Sequence, residues 1–261
     1  MARPGGPPAR PVHDGRMDEQ PLPGGFVTAV TRAGHTVRRA PPPDPAFVRA
    51  LLRLFERRGW DGAPRFLGTD GQGREVLSFL AGHVAWEPAQ PAAVTGPDGL
   101  ARVAELVREF HDLTAGTPLA AGGEVVCHND LSPRNTVYQD AGSGLRPVAF
   151  IDWDIAAPGA RIHDLAHVCW QYVGLGPGTA DAAGAGQLLR LICDAYGLRR
   201  RDRLLDTVLW WQDRCWRGIL ARAADGDPAM IRLRDSGAAR SVRDAFDWVT
   251  GHRAELAGPL H

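Results

Sequence analysis

The strongest constraint on the fold is a β-type segment, residues 125–154, set between two stretches of helical apolar spacing. It contains the loop VVCHNDLSPRN, the strand TVY, a turn at AGSG and a second strand that runs into FIDWD. A hairpin that follows a short loop returns the chain to the start of that loop. The sequence therefore predicts that Asp130, Asn135 and Asp152 meet in one cleft.

The loop in this segment matches the pattern H-x-D-L-x-x-x-N, which is typical of a kinase catalytic loop. The only two asparagines of the chain, Asn129 and Asn135, both lie in it. Phosphoryl transfer needs a carboxylate that receives a hydroxyl proton and oxygen ligands for Mg²⁺. Asp130, Asn135 and Asp152 supply these groups in the required order.

The remaining pattern divides the chain into two lobes. The N-terminal residues are rich in Pro and Gly and lack a hydrophobic period, which is typical of disorder. Asp44 and Pro45 predict the start of a helix that runs to about Arg58. Asp98 predicts the cap of another. We expect a disordered extension over 1–20, an N-terminal nucleotide-binding lobe over 21–82, a linker over 83–97, and a helical C-terminal lobe over 98–261 with a catalytic β insertion at 125–154.

Composition excludes several classes of function. The 30 basic and 30 acidic residues cancel, so we expect neither nucleic acid nor a membrane as partner. All 30 basic residues are Arg, which excludes a lysine Schiff base and a Walker lysine. Four cysteines are scattered without a CxxC pair, which favours free thiols and a cytoplasmic location.

The string HNDLSPRN…FIDWD resembles the aminoglycoside phosphotransferase and choline kinase-like family of small-molecule kinases. The resemblance implies an α+β, bilobal protein-kinase-like fold that binds ATP, or another nucleoside triphosphate, with Mg²⁺. It implies transfer of the γ-phosphoryl group to a hydroxyl of a small molecule, such as an aminoglycoside-like antibiotic, a sugar or an amino alcohol. Asp130 would be the catalytic base, and Asn135 and Asp152 would hold Mg²⁺. His128 would brace the loop, and Asp164 would anchor it from beneath.

The same resemblance implies cofactor-binding groups in the N-terminal lobe. Gly24 and Gly25 would cover the phosphates, and backbone groups near Ser78 and Leu80 would bind adenine. The family's phosphate-binding Lys is missing, and Arg38 is the nearest equivalent. Arg39 is expected on the opposite face by strand alternation.

The family's helix Glu also lacks a clear counterpart. Glu56 is the only Glu in the first predicted helix, and it shares a polar face with arginines. We therefore assign it no ion-pair role.

Two other functions stay open. The missing Lys and Glu are compatible with a catalytically silent nucleotide-binding relative. His163 and His167, at i and i+4, have the spacing of a zinc-dependent hydrolase. Acidic and basic residues alternate along the C-terminal helices, so the sequence does not identify the acceptor. It also leaves the oligomeric state open.

Overall fold

The computed structural model describes residues 19–22, 30–87, 90–142 and 144–260. The strands are β1 Gln20–Pro21, β2 Val30–Ala33, β3 Thr36–Arg39, β4 Phe66–Thr69, β5 Glu75–Ser78, β6 Val125–Cys127, β7 Thr136–Asp140, β8 Leu145–Phe150 and β9 Ala157–Gly159. The helices are α1 Pro45–Arg57, α2 Ala92–Thr95, α3 Pro97–Thr114, α4 Arg161–Val173, α5 Ala182–Tyr196, α6 Leu204–Ala224, α7 Pro228–Asp235, α8 Ala238–Gly251 and α9 Arg253–Ala257. Single 3₁₀ turns lie at Pro118–Ala120, Pro133–Asn135 and Gly258–Leu260.

The first five strands form one antiparallel sheet in the order β1-β2-β3-β5-β4. Gln20 pairs with Arg32, so the sheet includes a residue of the segment 1–20 for which the sequence predicts disorder. In the β3–β5 pair, Arg39 lies opposite Glu75. This register sets two oppositely charged side chains side by side on one face of the sheet.

Helix α1 begins as the sequence predicts. The Asp44 side chain accepts a hydrogen bond from the Phe47 amide at 3.0 Å, and Pro45 occupies the first helical turn. The helix ends at Arg57. Its apolar face, Val48, Leu51, Leu52 and Phe55, is buried in the main core. Helix α3 differs slightly from the prediction, because Gly96 is its N-cap and Asp98 lies in its first turn.

An aromatic cluster joins the sheet region to the helical region. The Trp153 ring lies 5.1 Å from the ring of Phe55 in α1 and 5.1 Å from that of Phe110 in α3. Its indole N–H donates to the Phe150 carbonyl at 3.0 Å. Because Trp153 is buried and held in this way, the segment that follows β8 has a fixed position relative to both regions.

The central insertion consists of two antiparallel pairs, β7 with β8 and β6 with β9. The loop between β6 and β7 therefore lies next to the segment between β8 and β9. The Ile151 amide donates to the Asn135 carbonyl at 2.9 Å, which joins the two segments directly. All four cysteines are free, as predicted. Among the described helices, none combines the length and apolarity that a bilayer span requires.

Candidate active site

The catalytic-type loop is held from beneath by Asp164, at the start of α4. Its carboxylate accepts hydrogen bonds from the amides of His128 at 2.7 Å and Asn129 at 2.9 Å. Asn129 has a φ of 66°, a left-handed conformation that Asn tolerates better than most residues. Asp164 is fully buried, so these two bonds fix the path of the chain just before Asp130.

A buried histidine that the sequence gave no reason to select completes this support. His111 Nε2 lies 3.0 Å from the Asp164 carboxylate, and its Nδ1 lies 2.8 Å from the Tyr196 hydroxyl. Burial opposes ionisation of Asp164, but the bonds from His111 and the loop amides outweigh it and hold the pKa of Asp164 below its ordinary value. Asp164 is thus an ionised anchor that contacts no solvent.

His128 braces the loop through both ring nitrogens. Nε2 donates to the Ile151 carbonyl at 3.0 Å, and Nδ1 accepts from the Asp130 amide at 3.3 Å. One donor and one acceptor define a neutral imidazole. Burial lowers the pKa of His128 to about 4, in agreement with a neutral ring. The ring connects the loop to the segment after β8 and is itself fully buried.

Asp130 and Asn135 lie side by side, as the loop motif predicts. The Asn135 amide nitrogen donates to the Asp130 backbone carbonyl at 2.8 Å and to its carboxylate at 2.9 Å. Burial and, after it, the negative charge of Asp152 raise the pKa of Asp130 to about 7. A carboxylate with this pKa is suited to proton transfer near neutral pH.

Asp152 faces the same cleft from the segment after β8. With Asn129, it is one of the two non-glycine residues with positive φ in the described chain, at 66°. Such strained backbone concentrates at functional sites. Burial and the neighbouring Asp154 raise the pKa of Asp152, against the lowering effect of Arg39. The structure thus brings Asp130, Asn135 and Asp152 together.

The structure corrects the assignment of the cleft arginine. Arg38 points away from the cleft and pairs with Glu19 at 3.0 Å. Arg39 is only 7% exposed and lines the cleft, with contacts of 3.3 Å to Asp152 and 2.5 Å to Asp154. Alternation along β3 places the two side chains on opposite faces, as expected. The prediction chose the wrong face, because a strand of four residues does not indicate which side meets the other lobe.

A buried carboxylate on a strand holds Arg39 in place. Glu75, opposite Arg39 in the sheet, lies 3.6 Å from its guanidinium and is fully buried. Glu75 also accepts a hydrogen bond from Arg49 of α1 at 2.8 Å. Glu56 is exposed on the outer face of the same helix, in line with the sequence analysis. The resemblance implied a carboxylate from the helix. Here the carboxylate comes from strand β5, and α1 contributes Arg49 as a second cation.

These groups open into a cleft of about 820 Å³ between the sheet and the helical region. Ser78 and Leu80 both line it, beside Val37 and Leu77. The Ser78 amide donates to the Arg65 carbonyl at 2.9 Å, and its hydroxyl accepts from the Arg65 amide at 2.8 Å. Those two groups of Ser78 are therefore engaged. Gly24 and Gly25 lie outside the described residues.

The two helix histidines have other partners than a metal. His167 Nδ1 donates to the Leu131 carbonyl at 2.8 Å, and the His163 ring stacks on Trp210. One group with metal-ligand geometry occurs in the described part of the chain, His111 with Cys127 and Asp164. Burial raises the pKa of the Cys127 thiol, so this sulfur stays protonated and donates to the Ala160 carbonyl. The geometry gives no support to a zinc hydrolase.

The cleft does offer donors that suit magnesium. Four oxygen-bearing side chains converge there: Asp130, Asn135, Asp152 and Asp154. Burial and, after it, a neighbouring carboxylate raise the pKa of Asp130 and of Asp152, and a divalent cation bound between them would favour their ionised forms. Hard oxygen donors in this number fit Mg²⁺.

Comparison with known proteins identifies the family. A model described as the phosphotransferase enzyme family matches residues 2–205, more than three quarters of the chain. The chain belongs to this family. The trifolitoxin immunity protein of Rhizobium leguminosarum bv. trifolii is 36% identical over 216 residues, which cover 71% of this chain and 77% of that protein.

Solved structures of several small-molecule kinases have a similar fold. An ethanolamine kinase of Plasmodium vivax superposes with a TM-score of 0.62 at 11% identity, over 91% of this chain and 83% of that one. A choline/ethanolamine kinase family protein of Mesorhizobium loti gives 0.60 at 17% identity, over 94% of both. An aminoglycoside phosphotransferase of Streptomyces rimosus, in complex with ADP and streptomycin, gives 0.56 at 18%, over 75% and 92%. The α+β, bilobal kinase-like fold that the resemblance implied is confirmed.

Proposed function

We propose that this family member transfers the γ-phosphoryl group of ATP to a hydroxyl of a small molecule. The observation that carries the proposal is the convergence of Asp130, Asn135 and Asp152 on one cleft, with the Arg39 guanidinium in contact with Asp152. Each of these groups has a defined part in phosphoryl transfer.

Asp130 is the catalytic base in this proposal. Its carboxylate receives the proton as the acceptor oxygen bonds to the γ-phosphorus and the bond to the departing ADP breaks. The amide of Asn135 fixes the orientation of that carboxylate through the 2.9 Å hydrogen bond. His128 and Asp164 do not react, and they position the loop through backbone amides.

Asn135 and Asp152 are the proposed ligands of Mg²⁺, and Asp154 lies beside them. When bound, Mg²⁺ would neutralise phosphate charge and align the γ-phosphoryl group. The left-handed backbone at Asp152 and the buried ring of Trp153 set the direction of both carboxylates. Because the Trp153 ring belongs to the core, the donor set is preorganised for its ligand.

Arg39 replaces Arg38 in our assignment of the phosphate-binding cation. A guanidinium binds phosphate oxygens through several N–H groups and stays charged at any physiological pH. Glu75 fixes its position, and Arg49 fixes Glu75 from α1. On this basis the absence of Lys does not require a catalytically silent protein.

The adenine ring is proposed to lie between the sheet and the segment after β5, beside Leu80. The backbone at Leu80 lines the cleft, whereas the amide of Ser78 is already bonded to Arg65. We keep Gly24 and Gly25 as the proposed phosphate cover. ATP is the proposed phosphoryl donor, and the same nucleotide site is compatible with another nucleoside triphosphate.

An ADP-release assay with a coupled readout tests this function. The purified protein is supplied with ATP, Mg²⁺ and a panel of hydroxylated compounds, with Asp130→Asn as the control. We expect acceptor-dependent ADP release that falls by about 10²- to 10⁴-fold in the control. ATP binding without release for any acceptor would instead support the silent relative.

A further inference from the structure

The wall of the cleft that the C-terminal helices form is mainly apolar. It consists of Cys215 and Ile219 from α6, Leu233 from α7, and Ala238 and Val242 from α8. We call these five residues the acceptor wall. Gln171 of α4 lies beside them and is the polar residue that the helical region adds to the wall.

The acceptor wall is on the side of the cleft where an acceptor must bind. The sheet residues and Arg39 occupy the opposite side, where the nucleotide is proposed to lie. The Cys215 thiol is close enough to Asp130 for that carboxylate to contribute to its pKa, which burial first and then Asp130 raise to about 11. An acceptor whose hydroxyl reaches Asp130 therefore has its remaining atoms against this wall.

Charged groups of the surrounding helices do not face the cleft. The seven acidic residues of 204–251 all lie outside its lining. They are Asp206, Asp213, Asp225, Asp227, Asp235, Asp244 and Asp247. Several pair with arginines on the outer surface, among them Asp213 with Arg217 at 2.7 Å and Asp206 with Arg253 at 2.7 Å.

This distribution of charge decides against a polycationic acceptor. An ammonium group placed on the acceptor wall would lose its hydration without a carboxylate to replace it. Three carboxylates of the cleft, Asp130, Asp152 and Asp154, are committed in the proposed function to the base and the metal. The fourth, Glu87, belongs to the segment after β5 and not to the helices of the acceptor wall. An apolar body, in contrast, gains from contact with the half-buried apolar side chains of the wall, Leu233 and Val242, whose remaining exposed area it covers.

We propose that the acceptor is a neutral alcohol with an apolar body, which packs on the acceptor wall and presents its hydroxyl to Asp130. This inference rests on the proposed function and specifies its substrate class. Gln171 is available to bond one neutral polar group of that body. Aminoglycosides and quaternary amino alcohols are excluded as preferred acceptors.

Two acceptors of the same shape, one cationic and one neutral, measure the effect of charge on acceptor use. Choline and 3,3-dimethylbutan-1-ol have the same shape, and they differ in a quaternary nitrogen in place of a carbon. We expect ADP release to show at least about tenfold higher kcat/KM for the neutral alcohol. In a series of straight-chain primary alcohols we expect about a fourfold gain per added methylene group. A higher kcat/KM for choline, or for streptomycin, would overturn the substrate class and leave the phosphotransferase function intact.

Binding measurements test the substrate class separately from the phosphotransferase function. The same probes are titrated calorimetrically into the protein with Mg²⁺ and a non-hydrolysable ATP analogue. This measures their affinity for the acceptor wall in the absence of phosphoryl transfer. If the neutral alcohol binds more tightly than choline but no ADP is released, the preference of the wall is supported and the phosphotransferase function is refuted. Equal binding of the two isosteres overturns the substrate class whether or not ADP is released.

Variants of the wall provide a matched control. Val242→Asp and Ala238→Asp each add a carboxylate to the wall, whereas Leu220→Asp makes a comparable change at a side chain that is 41% exposed on the same helix as Ile219. We expect the wall variants to reduce the preference for the neutral isostere at least about fivefold with KM for ATP unchanged. Leu220→Asp should retain the preference. An unchanged preference in both folded wall variants would contradict the proposal.

Discussion

Replacement of Asp130 by Asn should stabilise the protein while it abolishes turnover. The Asp130 carboxylate is partly buried beside Asp152, and its pKa is raised from 3.8 to about 7. That shift corresponds to about 4 kcal/mol of unfavourable free energy for the ionised form. Because solvent still reaches part of the side chain, we expect Asp130→Asn to gain about 2 to 3 kcal/mol in unfolding free energy. The amide oxygen of Asn can still accept the hydrogen bond from Asn135.

The way the stability gain of Asp130→Asn changes with pH shows whether the ionised Asp130 carboxylate is its cause. A carboxyl group whose folded pKa is raised favours the folded state fully below its unfolded pKa of 3.8 and loses this contribution as the pH rises towards about 7. The gain of Asp130→Asn is therefore complete at about pH 8 and nearly absent at about pH 4. Urea titrations in EDTA at the two pH values measure it. Added Mg²⁺ should stabilise the unmodified protein more than the variant, because the cation relieves the same repulsion.

The exposed residue Asp244 provides the control. Asp244→Asn should change the unfolding free energy by less than about 0.5 kcal/mol at either pH. If Asp130→Asn is no more stable than the unmodified protein at about pH 8, the carboxylates are not crowded as described. A gain of the same size at both pH values would also refute the electrostatic explanation.

Two further predictions concern the sheet and the anchor. Arg39→Ala should raise KM for ATP about 10- to 100-fold, whereas Arg38→Ala, on the other face of β3, should leave it unchanged in steady-state kinetics. The reverse ranking would restore Arg38 as the phosphate-binding residue. Asp164→Asn should lower the unfolding free energy at about pH 7 by about 3 kcal/mol, because one of its buried donors loses its acceptor. Since the pKa of Asp164 is lowered, this difference should begin to shrink as the pH falls below the ordinary value of 3.8, and it should be lost once the pH is below the lowered pKa of the folded protein. A difference that does not shrink as the pH falls would contradict the anchor role.

The sequence predicted those parts of the fold that depend on local rules. Asp44 and Pro45 mark the start of α1, because capping and a fixed proline φ act within one turn. The loop spacing placed Asp130, Asn135 and Asp152 together, because one loop and one hairpin determine their separation. These inferences needed no information about how the two lobes face each other.

The sequence did not predict features that depend on tertiary contacts. Which of Arg38 and Arg39 enters the cleft depends on the side of the sheet that meets the helical region. Glu75 and Arg49 are 26 positions apart, and no periodic signal connects a strand carboxylate to a helix guanidinium. His111 supports a loop 17 positions downstream through Asp164, so only the packing of α3 against α4 reveals its role.

Calorimetric titration of ATP, with Mg²⁺ or with EDTA, into the unmodified protein, Asp152→Ala and Asp130→Asn tests the central claim most directly. We expect Mg²⁺ to tighten ATP binding at least about tenfold in the unmodified protein and in Asp130→Asn. In Asp152→Ala this effect of Mg²⁺ should be lost. Identical Mg²⁺-dependent affinity in the unmodified protein and Asp152→Ala would contradict the claim that this cleft binds a magnesium nucleotide through Asp152.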